Sequence, residues 1–213
     1  MKKFVFVLSF VTLFVIQNTV AQSEIGIIVS PALSVNRVTT DQGTYHVSSN
    51  GAKLKMSIGA FADIFLEENY YFSTGLILTP KSIGIRYIPT GATSEKTESY
   101  KTQYLQVPIT LKLNTNEVAL DKRVFVQFGL INEINIDKQI KKSEDQVLQN
   151  FRTFDFSVMI RSGLDFRLGY DTSIFAGISY TRGLVNAVSQ YILPDETLKI
   201  KNDMISIDLG VRF

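Results

Sequence analysis

The side chains that most often carry catalysis are scarce in this chain: its 213 residues include one histidine and no cysteine. The lack of Cys removes disulfides, thiolate metal sites and a thiol nucleophile together. It also removes the Cys that a lipoprotein needs at its mature N-terminus. His46 has Asp41 and Ser48 close by in sequence. General acid–base work needs an orienting partner, however, and no triad spacing surrounds it, so it reads as a solvated loop histidine. No spacing of His, Asp and Glu suggests a metal site, and neither a metal nor a cofactor is expected. Gly91-Ala92-Thr93-Ser94 lacks the lysine and the strand–helix setting of a phosphate loop.

What remains is a set of charges in unusual places. Lys55, Asp63, Lys81, Lys112, Glu133, Asp155, Arg161, Asp165, Arg167, Asp208 and Arg212 all fall inside runs of alternating apolar residues. Acids and bases nearly balance among them, as a buried salt-bridge network requires. The competing reading is that they line an ion path. The whole chain carries a formal charge of only +2, so nothing points to a nucleic-acid partner.

The elements that must position these charges are strands. Residues 1–21 are set apart: Lys2 and Lys3 precede an apolar run from Phe4 to Ile16, and Thr19-Val20-Ala21 forms a small-residue cleavage site. This predicts an export signal cut before Gln22, with residues 22–213 forming one domain. After it, period-two alternation recurs over Glu24–Asn36, Leu54–Leu66, Tyr70–Tyr87, Thr102–Asn114, Val124–Ile136, Phe154–Leu168, Thr172–Thr181 and Asn202–Phe213. Connections after the second, fourth and sixth segments are short. Those near Arg37–Lys53, Ile88–Lys101, Asp137–Thr153 and Leu184–Lys201 are long and read as polar. The prediction is an all-β fold: an eight-stranded antiparallel up-and-down transmembrane β-barrel with four long loops on one side.

Charge decides which face is which. The charged parity also holds Gly26, Gly59, Gly75, Gly129, Gly163, Gly177 and Gly210, and the opposite parity is almost wholly apolar. A narrow interior packed with long charged side chains needs small neighbours. Aromatic residues fall near predicted strand ends (Tyr70, Phe72, Tyr87, Tyr104, Phe154, Tyr170, Tyr180, Phe213), where interfacial girdles belong. These features place charges inside and apolar groups toward lipid, in a Gram-negative outer membrane. The alternative is a soluble, lipocalin-like periplasmic barrel with the faces reversed.

Three stretches resemble the PorT-like outer-membrane β-barrel family. Tyr104-Leu105-Gln106-Val107-Pro108-Ile109-Thr110-Leu111-Lys112-Leu113 is similar to its YLEIPLLLKY strand, with Gln106 in place of Glu. Tyr71–Lys81 is similar to its FSLQTGLLYSQKG strand, and Ser179–Asn186 to its YSYGLTNI segment. Phe213, after Leu209-Gly210-Val211-Arg212, resembles the C-terminal signal read by the barrel-assembly machinery. The resemblance implies a lipid-embedded barrel and that machinery as a partner. A role in a secretion apparatus belongs to the family's named member and does not follow from shared strands.

The expected role is non-enzymatic: a structural or interaction protein working through its loops, as in a secretion or surface complex. Tyr45, Tyr87, Tyr100, Tyr191 and Ile192 are the aromatic and apolar candidates for anchoring a protein partner there, unless they pack within the loops or at the interface. A narrow pore is the competing reading, set against a salt-bridged plug, because eight strands leave room for little beyond side chains.

Overall fold

The period-two segments form the wall of a closed barrel in the computed structural model, which describes residues 23–40, 47–88, 94–139, 147–169, 172–191 and 198–213. In chain order the strands are β1 (Glu24–Thr40), β2 (Ser48–Ser49), β3 (Lys53–Glu67), β4 (Tyr70–Tyr87), β5 (Lys96–Asn114), β6 (Lys122–Gln139), β7 (Leu148–Phe151), β8 (Phe154–Arg167), β9 (Ser173–Gly183), β10 (Val188–Tyr191) and β11 (Leu198–Arg212). Eight of these make the wall, in the order β4-β3-β1-β11-β9-β8-β6-β5, and β5 pairs back onto β4 to close it. All the wall pairings are antiparallel. Closure leaves no unpaired edge, the condition for a sheet to cross lipid.

The register follows the short turns. Glu67 and Tyr70 face each other across a two-residue turn, with Asn69 at a positive φ of 68°. Asn tolerates that left-handed conformation because its short side chain can hydrogen-bond locally. Chain closure is backbone work: Phe213 N–H donates to Ile25 (2.8 Å), and Ile25 N–H to Phe213 (3.1 Å).

The faces divide as the pattern requires. Ile25, Ile27, Leu33, Ile58, Leu76, Ile109, Phe128, Leu130, Ile160, Ile178, Ile205, Ile207 and Leu209 are exposed, whereas Ser30, Asp63, Lys81, Glu133, Asp155 and Asp208 are buried. A water-soluble barrel shows the reverse. From Ile25 to Val35, a strand tilted by about 40° rises about 26 Å, the height of a lipid-facing apolar band.

Three features depart from the sequence reading. First, four wall strands run well past their predicted long-loop ends, with β5 starting at Lys96 and β11 at Leu198. Second, the long connections contain β2, β7 and β10, and β7 pairs with β10 in a separate small sheet. Third, two expected girdle aromatics point inward: Tyr87 and Tyr104 are buried, whereas Tyr70, Phe154, Tyr180 and Phe213 are exposed. Tyr170, His46, Asp41, Tyr45, Ile192, Gly91, Ala92, Thr93 and the expected signal 1–21 lie outside the described residues.

One seam of the wall is irregular. The β3–β4 ladder stops at Ile58–Leu78, and higher up Ser48–Ser49 pair with Arg86 and Ile85 instead. In the gap, Gly84 N–H donates to Asn36 Oδ1 (2.9 Å) and Ser82 N–H to Ser34 Oγ (3.4 Å). Side chains of β1 thus satisfy donors that lose their strand partner.

Candidate functional site: the layered lumen and its two closures

Inward side chains stack in layers, and β6 reads them in order: Arg123, Phe125, Gln127, Gly129, Ile131, Glu133 and Asn135. At the short-turn end is an open bowl of about 530 Å³, lined in part by Glu24, Glu117, Arg123, Asp165, Arg167 and Arg212.

Its floor is ionic. Lys112 Nζ reaches Asp63 at 2.9 Å and Asp165 at 3.5 Å. The Arg212 guanidinium contacts Asp63 at 3.0 Å and Glu24 at 2.9 Å, and forms a close pair with Asp165. Ser73 Oγ donates to Asp63 at 2.5 Å. Asp63 therefore accepts from a hydroxyl, an ammonium and a guanidinium, which meets the demand of a buried carboxylate.

An aromatic layer follows. Phe175 stands edge-on to Phe61 and to Phe125, at centroid distances of 5.5 and 5.9 Å. Ile28 and Ile77 complete the layer, and Lys112 Nζ sits 4.9 Å from the Phe125 centroid. Gly26, Gly163, Gly177 and Gly210 make room for these rings, where the sequence reading supposed room for charged side chains. A Cβ on Gly210 would come within 2.3 Å of Phe175, and one on Gly26 within 2.4 Å of Phe61.

Above the rings, Arg161 Nε donates to Asp208 (2.6 Å) and Arg161 Nη1 to Gln127 (3.0 Å). Higher still, Lys81 pairs with Glu133, and both are almost fully buried. Glu133 Oε1 also accepts from Gln106 (3.0 Å) and Ser157 (3.0 Å). Gln106, which stands where the resembling family has Glu, takes part as a donor. It accepts in turn from Thr79 at 2.8 Å. Asp155 lies beside this pair, with Oδ1 accepting from Phe156 N–H (2.8 Å) and the Asn202 amide next to its carboxylate. Tyr104 Oη, the Asn135 amide and Asn202 Nδ2 are buried at the same level, the phenol beside Asn135 and Thr102, and Asn202 beside Asp155. Polar atoms in such a position are where ordered water belongs.

The long-loop end is closed by a dry cap. Ile83, Ile85 and Tyr87 from β4, Tyr100 from β5, and Leu198 and Ile200 from β11 pack against Val147, Leu148, Phe151, Ala187 and Val188 from the long connections. Glu98 ties the cap down. It accepts from Tyr87 Oη (2.8 Å), Tyr100 Oη (2.5 Å) and Val147 N–H (3.1 Å). Burial and the Glu98 carboxylate push the Tyr100 phenol well above its ordinary pKa. Between floor and cap, a cavity bordered by Gln106, Gln127 and Arg161 has a volume of about 30 Å³.

Of the eleven charges picked out by parity, Asp63, Lys81, Lys112, Glu133, Asp155, Arg161, Asp165, Asp208 and Arg212 lie in these interior layers. Lys55 and Arg167 lie elsewhere. Lys55 sits at the β3–β4 seam with Lys101 and Lys53 as its charged neighbours. Arg167 is at the rim of the bowl, 3.7 Å from exposed Glu117. Parity could not separate rim from lumen, because depth depends on where each strand enters the membrane. Glu24, Gln106 and Gln127 share the inward parity and could have been found the same way. The cap residues from the long connections carried no periodic signal, only short apolar pairs such as Val147-Leu148 and Ala187-Val188. Of the two readings open for Tyr87 and Tyr100, packing within the loops holds: both are buried in the cap, and Tyr191 packs partly against it.

A closed eight-stranded antiparallel wall, apolar outside and charged within, defines an integral β-barrel of the outer membrane. Comparison with known proteins agrees. The chain belongs to the outer membrane protein beta-barrel domain family, whose model matches residues 20–189. Among solved structures it is similar to OprG from Pseudomonas aeruginosa (11% identity, TM-score 0.56) and to Neisserial surface protein A, NspA (14% identity, TM-score 0.51). Each match covers 89% of this chain and 95% of the other. At these identities the likeness is one of fold. No curated protein matches the sequence.

Proposed function

We propose that this protein is a non-conducting outer-membrane anchor, a structural or interaction protein that presents the face built by its long loops. One observation carries the reading: the lumen is shut twice, by the Asp63–Lys112–Asp165–Arg212 floor and by the cap centred on Leu148 and Phe151, with about 30 Å³ between. An eight-stranded barrel has no spare lumen once its inward side chains are in place. A protein partner would meet polar groups on this face, since Tyr87 and Tyr100 are occupied in the cap. Membership of a secretion or surface complex is one specific form of this role, with Phe213 as the signal for the assembly machinery.

The test is conductance of the full chain in planar bilayers, after a band shift between unboiled and boiled samples on SDS gels has certified a folded barrel. The expected result is current at the background of empty bilayers. Discrete, reproducible channel steps would overturn the anchor reading. They would favour a narrow pore whose loop-borne cap opens.

A further inference from the structure

All eight wall strands give a side chain to the bowl at the short-turn end, and one part of that lining is fully matched. Arg212 donates to Ser173 Oγ (3.0 Å) and to Asp63 (3.0 Å), reaches Glu24 at 2.9 Å and pairs with Asp165. Across β6 and β8 the matching stops. Arg123 and Asp165 face each other in register, and Arg167 follows Asp165 by two residues, on the same parity. Arg123 and Arg167 approach a single oxygen, Glu117 Oε1, at 3.9 and 3.7 Å, beyond hydrogen-bond distance. Neither guanidinium makes a hydrogen bond among the described residues. Acceptors are left over in the same cavity. Asp165 Oδ1 and Asn114 Oδ1 are buried and receive no hydrogen bond among the described residues. The Asp165 side chain is only 5% exposed, so its free oxygen is enclosed without a donor.

The cavity around these groups is held in shape. Arg167 N–H donates to the Asp121 carbonyl (2.9 Å), which ties the β5–β6 turn to the end of β8. Val118 N–H to Lys122 (3.0 Å) and Lys122 N–H to Ala119 (2.9 Å) close the turn itself. The turn thereby holds Glu117 beside the two arginines. On β3 and β4, Phe65 and Tyr71 stand edge-to-face at 5.8 Å and add an aromatic wall to the bowl. Its volume of about 530 Å³ falls in the range of small-molecule sites.

Two guanidiniums without hydrogen bonds call for a carboxylate, which such a fork grips in bidentate pairs. Carboxylate and amide oxygens without donors call for N–H groups, which an ammonium supplies three at a time. A simple anion would leave the acceptors bare, and a simple cation would leave the arginines bare. One molecule with both charges answers both needs, and the rings of Phe65 and Tyr71 offer contact to an apolar side chain. We infer that the bowl is a binding site for a small zwitterion with a free ammonium, a free carboxylate and an apolar side chain, as in a hydrophobic dipeptide. Arg123 and Arg167 take its carboxylate, and Asn114 and Asp165 take its ammonium. The bowl opens at the short-turn, periplasmic end of the wall, away from the loop face, so this inference stands or falls apart from the anchor reading.

The experiment is titration calorimetry of the full chain in detergent micelles, with alanyl-phenylalanine as probe and its N-acetyl, C-amide and doubly blocked forms as controls. Each single block should weaken binding about tenfold, the loss of one charge-assisted contact, and the double block should abolish it. R123Q/R167Q should bind the free acid and the amide alike while still preferring the free amine to the acetyl form. N114L should narrow that second preference. E117Q removes the carboxylate that competes for the two arginines, so it should tighten binding of the probe severalfold. The band shift on boiling certifies folding of each variant, and if R123Q/R167Q fails to fold, the four ligand forms on wild type and the gain in E117Q still decide. No heat from wild type at millimolar probe, or equal affinity for all four forms, would overturn the inference. So would a folded R123Q/R167Q that still prefers acid to amide. An acetyl form bound as tightly as the free amine would mark a plain carboxylate site and overturn the assignment to a zwitterion.

Discussion

The floor and the cap close the same lumen with opposite chemistry. The floor is made of ionised groups that all stand on wall strands: Asp63 on β3, Lys112 on β5, Asp165 on β8 and Arg212 on β11. The cap is apolar, and much of it (Val147, Leu148, Phe151, Ala187, Val188) comes from the long connections. The floor cannot move without breaking the wall that carries it. The β7–β10 sheet joins the wall through apolar contact and a few hydrogen bonds, such as Ala187 N–H to Ile200 (2.8 Å). Ion pairs between strands hold the floor, whereas loop-borne burial covers the other end.

The largest expected effect falls on the floor. Asp63→Ala leaves Lys112 and Arg212 sharing Asp165, with Glu24 on the exposed side, and gives Ser73 no acceptor. Removing one partner from a buried network costs about 3–5 kcal/mol, because the stranded charges stay desolvated. The urea midpoint of the heat-modifiable band, measured in detergent, should drop accordingly. A loss below about 1 kcal/mol would show that water reaches the floor from the bowl and that the two closures differ less than their geometry implies.

The cap should respond locally. Phe151 is fully buried and stands edge-on to Tyr100 at 5.4 Å. Phe151→Ala should weaken cap closure by about 3 kcal/mol. By hydrogen exchange, the Ala187 and Arg152 amides should then exchange about a hundredfold faster, while amides in the β6–β8 ladder keep their rates. Uniform acceleration across the wall would mean that cap and wall unfold as one unit, and the comparison would fail.

The contrast also explains what the sequence made legible. Wall and floor obey period two, and a parity argument at Asp63, Lys112 or Arg212 needs only the strand and the sign of its lipid face. The cap is periodic only where wall strands supply it. Its residues become inward only because β4, β5 and β11 continue beyond the membrane, where water is on both sides and an apolar inward face must find its own cover. Ile83, Ile85 and Tyr87 keep perfect alternation, yet nothing in their spacing tells that their partners come from residues 147–151 and 187–188. The aromatic layer was hidden for a related reason. Phe61, Phe125 and Phe175 fall on the charged parity, where an apolar ring reads as noise until facing glycines show that room was made for it.

The smallest expected effect sharpens the boundary of the floor. Arg167 shares the parity of Asp165 and lies only two residues from it, so alternation alone ranks the two equally. Depth separates them: the Arg167 side chain is 47% exposed and Asp165 is 5% exposed. A half-exposed ion pair is screened by water and opposed by side-chain entropy, so Arg167→Gln should change stability by no more than about 0.5 kcal/mol. In the same urea assay its curve should overlay that of wild type, at low salt and at 0.5 M. A loss above about 1.5 kcal/mol would mean that the Glu117–Arg167 pair is shielded and that the floor extends to the rim. The bowl would then be the outer layer of the plug, and Arg123, 3.9 Å from the same Glu117, would have to be counted with it.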